Sequence, residues 1–401
     1  MNRTKTLPTS NLETFRNQMR SPNVGFDNTQ QIVSNTLRKI KKNIVISVVS
    51  DYTGCGHIRN ILPSIYLNAL YGKGGGMQII NTPMVINDPS ILARTRSILF
   101  QRTMGPHTPG LIKHYKELQK QYRFKLVYDL DDFVWSSDLE SENIPKYNFG
   151  GAAITKEVED SAITNMNLMD VVCVSTQFLK DYVVGKGVDK NKVKVVHNTL
   201  PTYLWGSDKK APITERIKKP RVVWSSSPTH WHDQKKLAGD MDNAWKDWII
   251  KSVNEDKIEY IQMGGLPWFF EEIKDKITVY PCVNSLHYPK TVKNIKADFG
   301  IAPLVPNHFN YSKSAIKYQE YCVSGIVGIG STFTNEYPSP YDVAITQASD
   351  DITVEGIDAI FDKLMEPKEY NRVLQEQYKQ VVSESWITES SGYINLITSI
   401  L

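Results

Sequence analysis

Short, continuously apolar runs recur along this chain, each followed by a polar turn and then by a longer stretch with helical spacing. The first run, NIVISVVS (Asn43–Ser50), shows no polar alternation, the pattern of a parallel strand covered on both faces. It ends at DYTGCGHIRNILPSIYLNALYG, a glycine-containing loop leading into Ile58, Ile61, Leu62, Ile65, Leu67 and Leu70 at helical spacing. The runs MQIIN, SILFQ, FKLVYDL, VVCVS and VKVVHN follow as strands. Between them, helices are predicted over Pro109–Tyr122, Thr155–Met169 and Gln177–Gly185. Strand and helix in alternation predict an α/β fold with a doubly wound parallel sheet.

The alternation breaks at PTYLWGSDKKAPITERIKKPR (Pro201–Arg221), whose three prolines, Gly206 and six Lys or Arg predict an interdomain linker. A second series then starts with RVVWSSS. It continues through a helix near Gln234–Trp248, IEYIQMGG, a helix over Pro267–Lys274, ITVYPCV, a helix over Pro289–Asn294, ADFGIAPL, IVGIGS and DVAITQ. Helices over Thr353–Leu364, Pro367–Ser383 and Ile387–Leu401 close the chain. The expected organisation is a basic extension (1–42), a first Rossmann-like domain (43–205), a linker (206–220), a second Rossmann-like domain (221–384) and a terminal helix (385–401) packing back on the first domain. Ligands of such sheets bind at the carboxyl ends of the strands, so the expected site is the cleft where the two domains face each other.

Composition changes this picture little. At 401 residues, 41% hydrophobic and 22% charged, the chain suits two globular domains. No apolar stretch is long enough to cross a bilayer, and the start of the chain has no apolar block of a secretory signal. Cys55, Cys173, Cys282 and Cys322 lack a paired spacing, which fits reduced thiols and a cytoplasmic location. Charge adds more. Residues 1–42 hold eight Lys or Arg against Glu13 and Asp27, and Arg94–Lys125 holds eight against Glu117 alone. Such excesses mark either a polyanionic partner or solvated helix faces and a tail.

Candidate chemistry gathers in ADFGIAPLVPNHFNYSKSAIKYQEY. A buried strand leads through a polar loop to a helix with Ser312 or Ser314 as N-cap. Unpaired amides at such an end, with Lys313 and Lys317 nearby, suit a phosphate. Glu320 follows six residues after Ser314, where a carboxylate can accept from the two hydroxyls of a ribose. The pattern also fits a capped surface helix with an exposed Glu. The same cleft edge is expected to receive His230, His232 and Lys235 from SSSPTHWHDQKKL, Asp129, Asp131 and Asp132 from YDLDDFVW, and Gly54, Gly56, His57 and Arg59 from TGCGHIR. Trp224, Trp231, Trp245 and Trp248 read as packing aromatics.

The segment FNYSKSAIKYQEYCVSGIVGIGSTFTNEY, with VYDLDDFVW, VVCVSTQFLKDYV, VKVVHNTLP and SSSPTHWHDQKKL in order, resembles the glycosyltransferases of the GT-B fold, group 1 or family-4-like branch. The resemblance spans about Asn43–Leu401. It implies a nucleoside-diphosphate-sugar donor, a UDP-sugar by preference, held by the second domain, and retention of the anomeric configuration. Glu320 matches the ribose-binding glutamate. Ser312, Lys313 and Ser314 would meet the diphosphate with Lys317, His230 and Lys235, and Gly54 and Gly56 would approach it from the first domain. Many relatives carry a second Glu where this chain has Ser312.

The resemblance further implies that Asp131, Asp132 or His57 orients or deprotonates the acceptor hydroxyl; the Asp run also suits a strand-end cap. Arg59, Arg94, Arg96, Arg102, Lys113 and Lys116 are expected to hold an acceptor. Double-stranded DNA with a hydroxylated pyrimidine, as in bacteriophage DNA modification, is placed slightly ahead of a lipid-linked or polysaccharide acceptor at an anionic membrane. Asp129-Leu-Asp131 also spells the D-x-D metal signature of the GT-A fold. That alternative leaves the second Rossmann series without a purpose, so no essential metal is expected. A rival class is a non-catalytic GT-B binding protein.

Overall fold

The computed structural model describes residue 38 and residues 43–51, 54–71, 77–82, 86–135, 148–149, 152–153, 155–206, 210–226, 244–335 and 337–383. The expected extension before residue 38, His230, His232, Lys235, Trp231 and the terminal helix over 385–401 lie outside them.

The first sheet contains β1 (Asn43–Val48), β2 (Met77–Thr82), β3 (Thr95–Gln101), β4 (Lys125–Leu130), β7 (Val171–Val174) and β8 (Val193–Val195). Its order is β2-β1-β3-β4-β7-β8, with every neighbour parallel. A two-residue antiparallel pair, β5 (Asn148–Phe149) and β6 (Ala152–Ala153), stands apart from it. The second sheet contains β9 (Arg221–Ser225), β10 (Glu259–Met263), β11 (Thr278–Tyr280), β12 (Phe299–Ala302), β13 (Val327–Thr332) and β14 (Thr346–Ser349). It runs in the order β11-β10-β9-β12-β13-β14, again all parallel. Strand order therefore reverses beside β1 in the first sheet and beside β9 in the second. A crevice opens at each reversal, outside the carboxyl ends of the strands.

Local sequence explains most of the elements. Apolar runs become strands buried on both faces: Ile44, Val45 and Ile46 are fully covered. Thr155 and Thr176 cap the helices Lys156–Leu168 and Gln177–Gly185 by accepting from Val158 N and Leu179 N. Pro109 sits in the first turn of the helix Thr108–Tyr122, where its missing N–H costs nothing. Trp224, Trp245 and Trp248 are core residues, with Trp248 stacked on Phe361 at 4.4 Å. Two elements differ from expectation. The segment Trp268–Lys276 is a 3-10 helix. The last strand starts at Thr346 rather than at Asp342, because Asp342 Oδ2 accepts from Ser339 N at 3.0 Å and holds the preceding residues in a turn.

The domains meet through aromatic side chains. The short helix His308–Tyr311 of the second domain places Phe309 in the core cluster of the first. His308 lies 5.7 Å from the Phe133 ring and 6.0 Å from Phe178, and Tyr311 lies 5.7 Å from Phe178. Among the described residues no helix is long and apolar enough to cross a membrane.

Candidate active site

At the crevice of the second sheet, β9 ends in Ser225. The helix Ile316–Val323 follows β12 after the turn at His308–Tyr311. Lys317 and Glu320 share one face of this helix, three residues apart. Lys317 Nζ donates to Glu320 Oε2 at 2.6 Å, and Tyr288 Oη donates to the same oxygen at 2.9 Å. Lys317 Nζ also donates to Tyr288 Oη at 2.7 Å, and Ser225 Oγ lies 2.7 Å from that hydroxyl. The Lys317 side chain is 19% exposed and that of Glu320 8%. Burial works against the Lys317 ammonium, but the charge and hydrogen bond of Glu320, together with Tyr321 and Tyr341, leave the pKa above the ordinary lysine value. Burial, reinforced by Glu320, pushes the Tyr288 phenol well up, so it stays a donor. Tyr288 was missed by sequence reasoning; it opens a helix 32 residues before Glu320 and carries no local cue.

The expected caps are different. Ala315, without a side-chain bond, occupies the N-cap position of the helix Ile316–Val323. Ser312 is fully buried, donates its hydroxyl to Phe309 O at 2.7 Å, and offers its own carbonyl to Thr176 Oγ1 of the first domain at 3.0 Å. Ser314 Oγ accepts from Asn198 Nδ2 of the first domain at 2.9 Å. Ser312 therefore does not present a hydroxyl to a diphosphate; its hydroxyl is used inside the chain where the two domains touch. Lys313 Nζ stands 4.5 Å over the Phe309 ring.

The carboxyl ends of β1, β3 and β4 bring the first-domain residues together in two ion-paired groups. In the deeper one, Arg59 donates to Asp129 at 2.5 Å and 3.2 Å, to Val196 O, and to Asn198 Oδ1 at 3.2 Å. Arg59 and Asp129 are both almost fully covered, at 2% and 1% exposure. The expectation that Arg59 holds an acceptor is corrected by this burial: its guanidinium is spent within the fold.

In the outer group, Arg102 donates from Nε to Asp131 Oδ1 at 3.0 Å and pairs with Asp132 and the Cys55 sulfur. Arg102 holds a left-handed backbone (φ 45°), fixed by its N–H on Asp129 O at 2.9 Å. Burial raises the Asp131 pKa and Asp132 adds to the rise, while Arg102 pulls it back. Burial likewise lifts the Cys55 thiol. Cys55, Asp131 and Asp132 bring ligand atoms within 4.8 Å of one another, and the cation that the fold supplies to them is the Arg102 guanidinium. Asp129 of the D-x-D run is committed to Arg59 instead. Arg102 is thus placed as an internal partner of Asp131 and Asp132, not as an outward contact.

His57 is buried on the π turn His57–Ile61, next to Gly56. Gly56 is sterically required: a Cβ there would lie 1.8 Å from Asp51 O. Gly54 has open space around it. The remaining basic residues do not form one track. Arg94 and Arg96 flank Thr95 at the amino end of β3, and Arg102 follows its carboxyl end, about 20 Å away by strand rise. Arg94 donates to Ser90 O, Lys113 is exposed on the helix Thr108–Tyr122, and Lys116 pairs with Asp170 at 2.8 Å. The expectation of a single phosphate-tracking surface is therefore corrected: strand length separates its members and ion pairs occupy some of them.

No protein-family model matches the chain, and no curated protein matches it. Solved structures do. A glycosyltransferase from Rickettsia africae superposes with a TM-score of 0.54 at 13% identity, covering 90% of this chain and 98% of that one. Anabaena HepE, solved with UDP-glucose, gives 0.55 at 11% identity, covering 89% and 100%. The α,α-trehalose 6-phosphate synthase of Burkholderia multivorans gives 0.53 at 10%, covering 90% and 96%. These likenesses run nearly end to end and show the architecture: the chain has the GT-B fold, two parallel six-stranded α/β domains.

Proposed function

We propose that this protein is a glycosyltransferase that takes a sugar from a UDP-sugar and transfers it to an acceptor hydroxyl. The observation that carries the reading is the Ser225–Tyr288–Lys317–Glu320 group at the topological switch point of the second sheet. A buried carboxylate held beside an ammonium is a pair suited to a ribose and a phosphate. Glu320 accepts from the ribose. Lys317 has three N–H donors, placed on Glu320 at 2.6 Å, Tyr288 at 2.7 Å and Ser225 Oγ at 3.5 Å; the last and longest is the one a phosphate oxygen would replace. Anabaena HepE, which shares the fold, was solved with UDP-glucose.

In the reaction, the bond between the anomeric carbon and the β-phosphate oxygen breaks, and UDP leaves with the electron pair. The acceptor oxygen forms the new bond to that carbon. Its proton passes to Asp131 or Asp132 at the carboxyl end of β4. Negative charge grows on the departing phosphate, where the Lys317 ammonium stabilises it. The raised pKa of Asp131 strengthens it as a base. The acceptor is assigned only as a hydroxyl compound, since the basic residues expected to bind DNA are dispersed. Incubation with a panel of sugar nucleotides, read by UDP release without acceptor, tests the donor half. Release is expected from UDP-sugars and lost in Glu320→Ala; undiminished release in that variant overturns the assignment. Mass spectrometry of hydroxymethylated DNA and of simple glycans after the same incubation identifies the acceptor.

A further inference from the structure

We propose that Tyr288 is the positioning residue for the Glu320 carboxylate: with Lys317 it holds Oε2 and leaves Oε1 to accept from a ribose hydroxyl. The inference rests on the donor-site reading above and adds a residue to it.

The hydrogen-bond directions in this group follow from counting donors. Glu320 is an acceptor, so the single hydroxyl proton of Tyr288 goes to Oε2 at 2.9 Å. Lys317 is only a donor, so its contact with Tyr288 at 2.7 Å delivers an N–H to the phenol oxygen. With its proton spent, Tyr288 Oη must also accept from Ser225 Oγ at 2.7 Å. The phenol therefore has one proton given and two received, and its orientation is fixed. Glu320 Oε2 receives two donors, while among the described residues nothing donates to Oε1. A mostly buried carboxylate with one oxygen filled and the other vacant is half of a binding contact. The Tyr288 ring is seated by Trp205, edge-on at 5.7 Å, and by the Lys317 ammonium 5.0 Å over its face. Removing the hydroxyl should let the carboxylate rotate and lose its aim, without removing the charge that Lys317 pairs.

Isothermal titration of the full chain with UDP tests this. The unmodified protein is expected to bind UDP, and Tyr288→Phe to bind it about tenfold more weakly, the loss typical of one hydrogen bond to a charged group. In a Glu320→Gln background the same change is expected to cost less than twofold, because the group it positions has already lost its charge. A merely structural role would repeat the full loss there. Ser225→Ala, which removes the donor to the Tyr288 oxygen, is the milder second variant, with a loss of about threefold that also vanishes beside Glu320→Gln; it decides the matter if Tyr288→Phe does not melt cooperatively. If the unmodified protein binds UDP and both variants bind it equally well, or if the losses persist beside Glu320→Gln, Tyr288 has no such role. If the unmodified protein does not bind UDP, the donor-site reading itself fails.

Discussion

Asn198 of the first domain donates its side-chain amide to Ser314 Oγ of the second at 2.9 Å, while its carbonyl oxygen accepts from Arg59 at 3.2 Å. The buried Arg59–Asp129 pair is thereby linked to the segment that leads into the Lys317–Glu320 helix. Asn198→Asp keeps an acceptor for Arg59 and loses the donor to Ser314; Asn198→Ala loses both. Denaturant unfolding is expected to show Asn198→Ala less stable by about 1–2 kcal/mol, with Asn198→Asp between it and the parent. Equal stability of all three would sink the linkage.

The Arg59–Asp129 pair itself is fully covered, so deleting one partner strands the other charge. Asp129→Ala is expected to cost about 3–5 kcal/mol. Removing both partners, as in Arg59→Met with Asp129→Leu, is expected to cost less than Asp129→Ala alone. Equilibrium unfolding of these two variants and the parent measures the difference.

Asp131 gives a pH prediction with a definite sign. Burial raises its pKa above the ordinary carboxylate value of about 3.9. On the proposed mechanism the ionised form is the base, so kcat should fall as pH drops through that raised value. The nearby Asp132 contributes to the rise, so Asp132→Asn should move the acid limb to lower pH. The Arg102 charge opposes the rise, so Arg102→Met should move the limb upward. A limb that stays fixed in both variants would show that another group controls the rate. Stability runs the opposite way: the contribution of Asp131 is fully present below its unfolded pKa and is lost as pH climbs through the raised folded one.

Gly56 and Gly54 form a paired test of the first-domain loop. Gly56→Ala forces the Asp51 carbonyl to move and should destabilise the fold by about 1–3 kcal/mol. Gly54→Ala meets open space and should stay within about 0.5 kcal/mol of the parent. Thermal melts of the two variants, with UDP binding as a second readout, check the contrast.

These residues also mark how far the sequence could be read. The buried runs around Ile44, Val127 and Val223 announced parallel strands because β-strands covered on both faces need nothing but apolar residues. The helix bearing Glu320 was legible for the same local reason. Its cap was not: Ser312 and Ser314 have the composition of N-caps, but contacts with Thr176 and Asn198, well over a hundred residues earlier, claim them. Arg59 reads as a surface cation until Asp129, 70 residues away, covers it. Tyr288 gave no signal because its role depends entirely on a partner in another element. Periodicity reports local burial, and each of these relationships is made by the return of distant chain.

The aromatic turn His308–Tyr311 has a mechanical consequence. It is gripped by the rings of Phe133 and Phe178 on one side and runs within a few residues into Lys317 and Glu320 on the other. It acts as a lever arm whose fulcrum lies in the first domain and whose load is the pair of charges in the second. On the proposed donor reading, a change in the angle between the domains would reach those charges through this segment, and nucleotide affinity would vary with that angle.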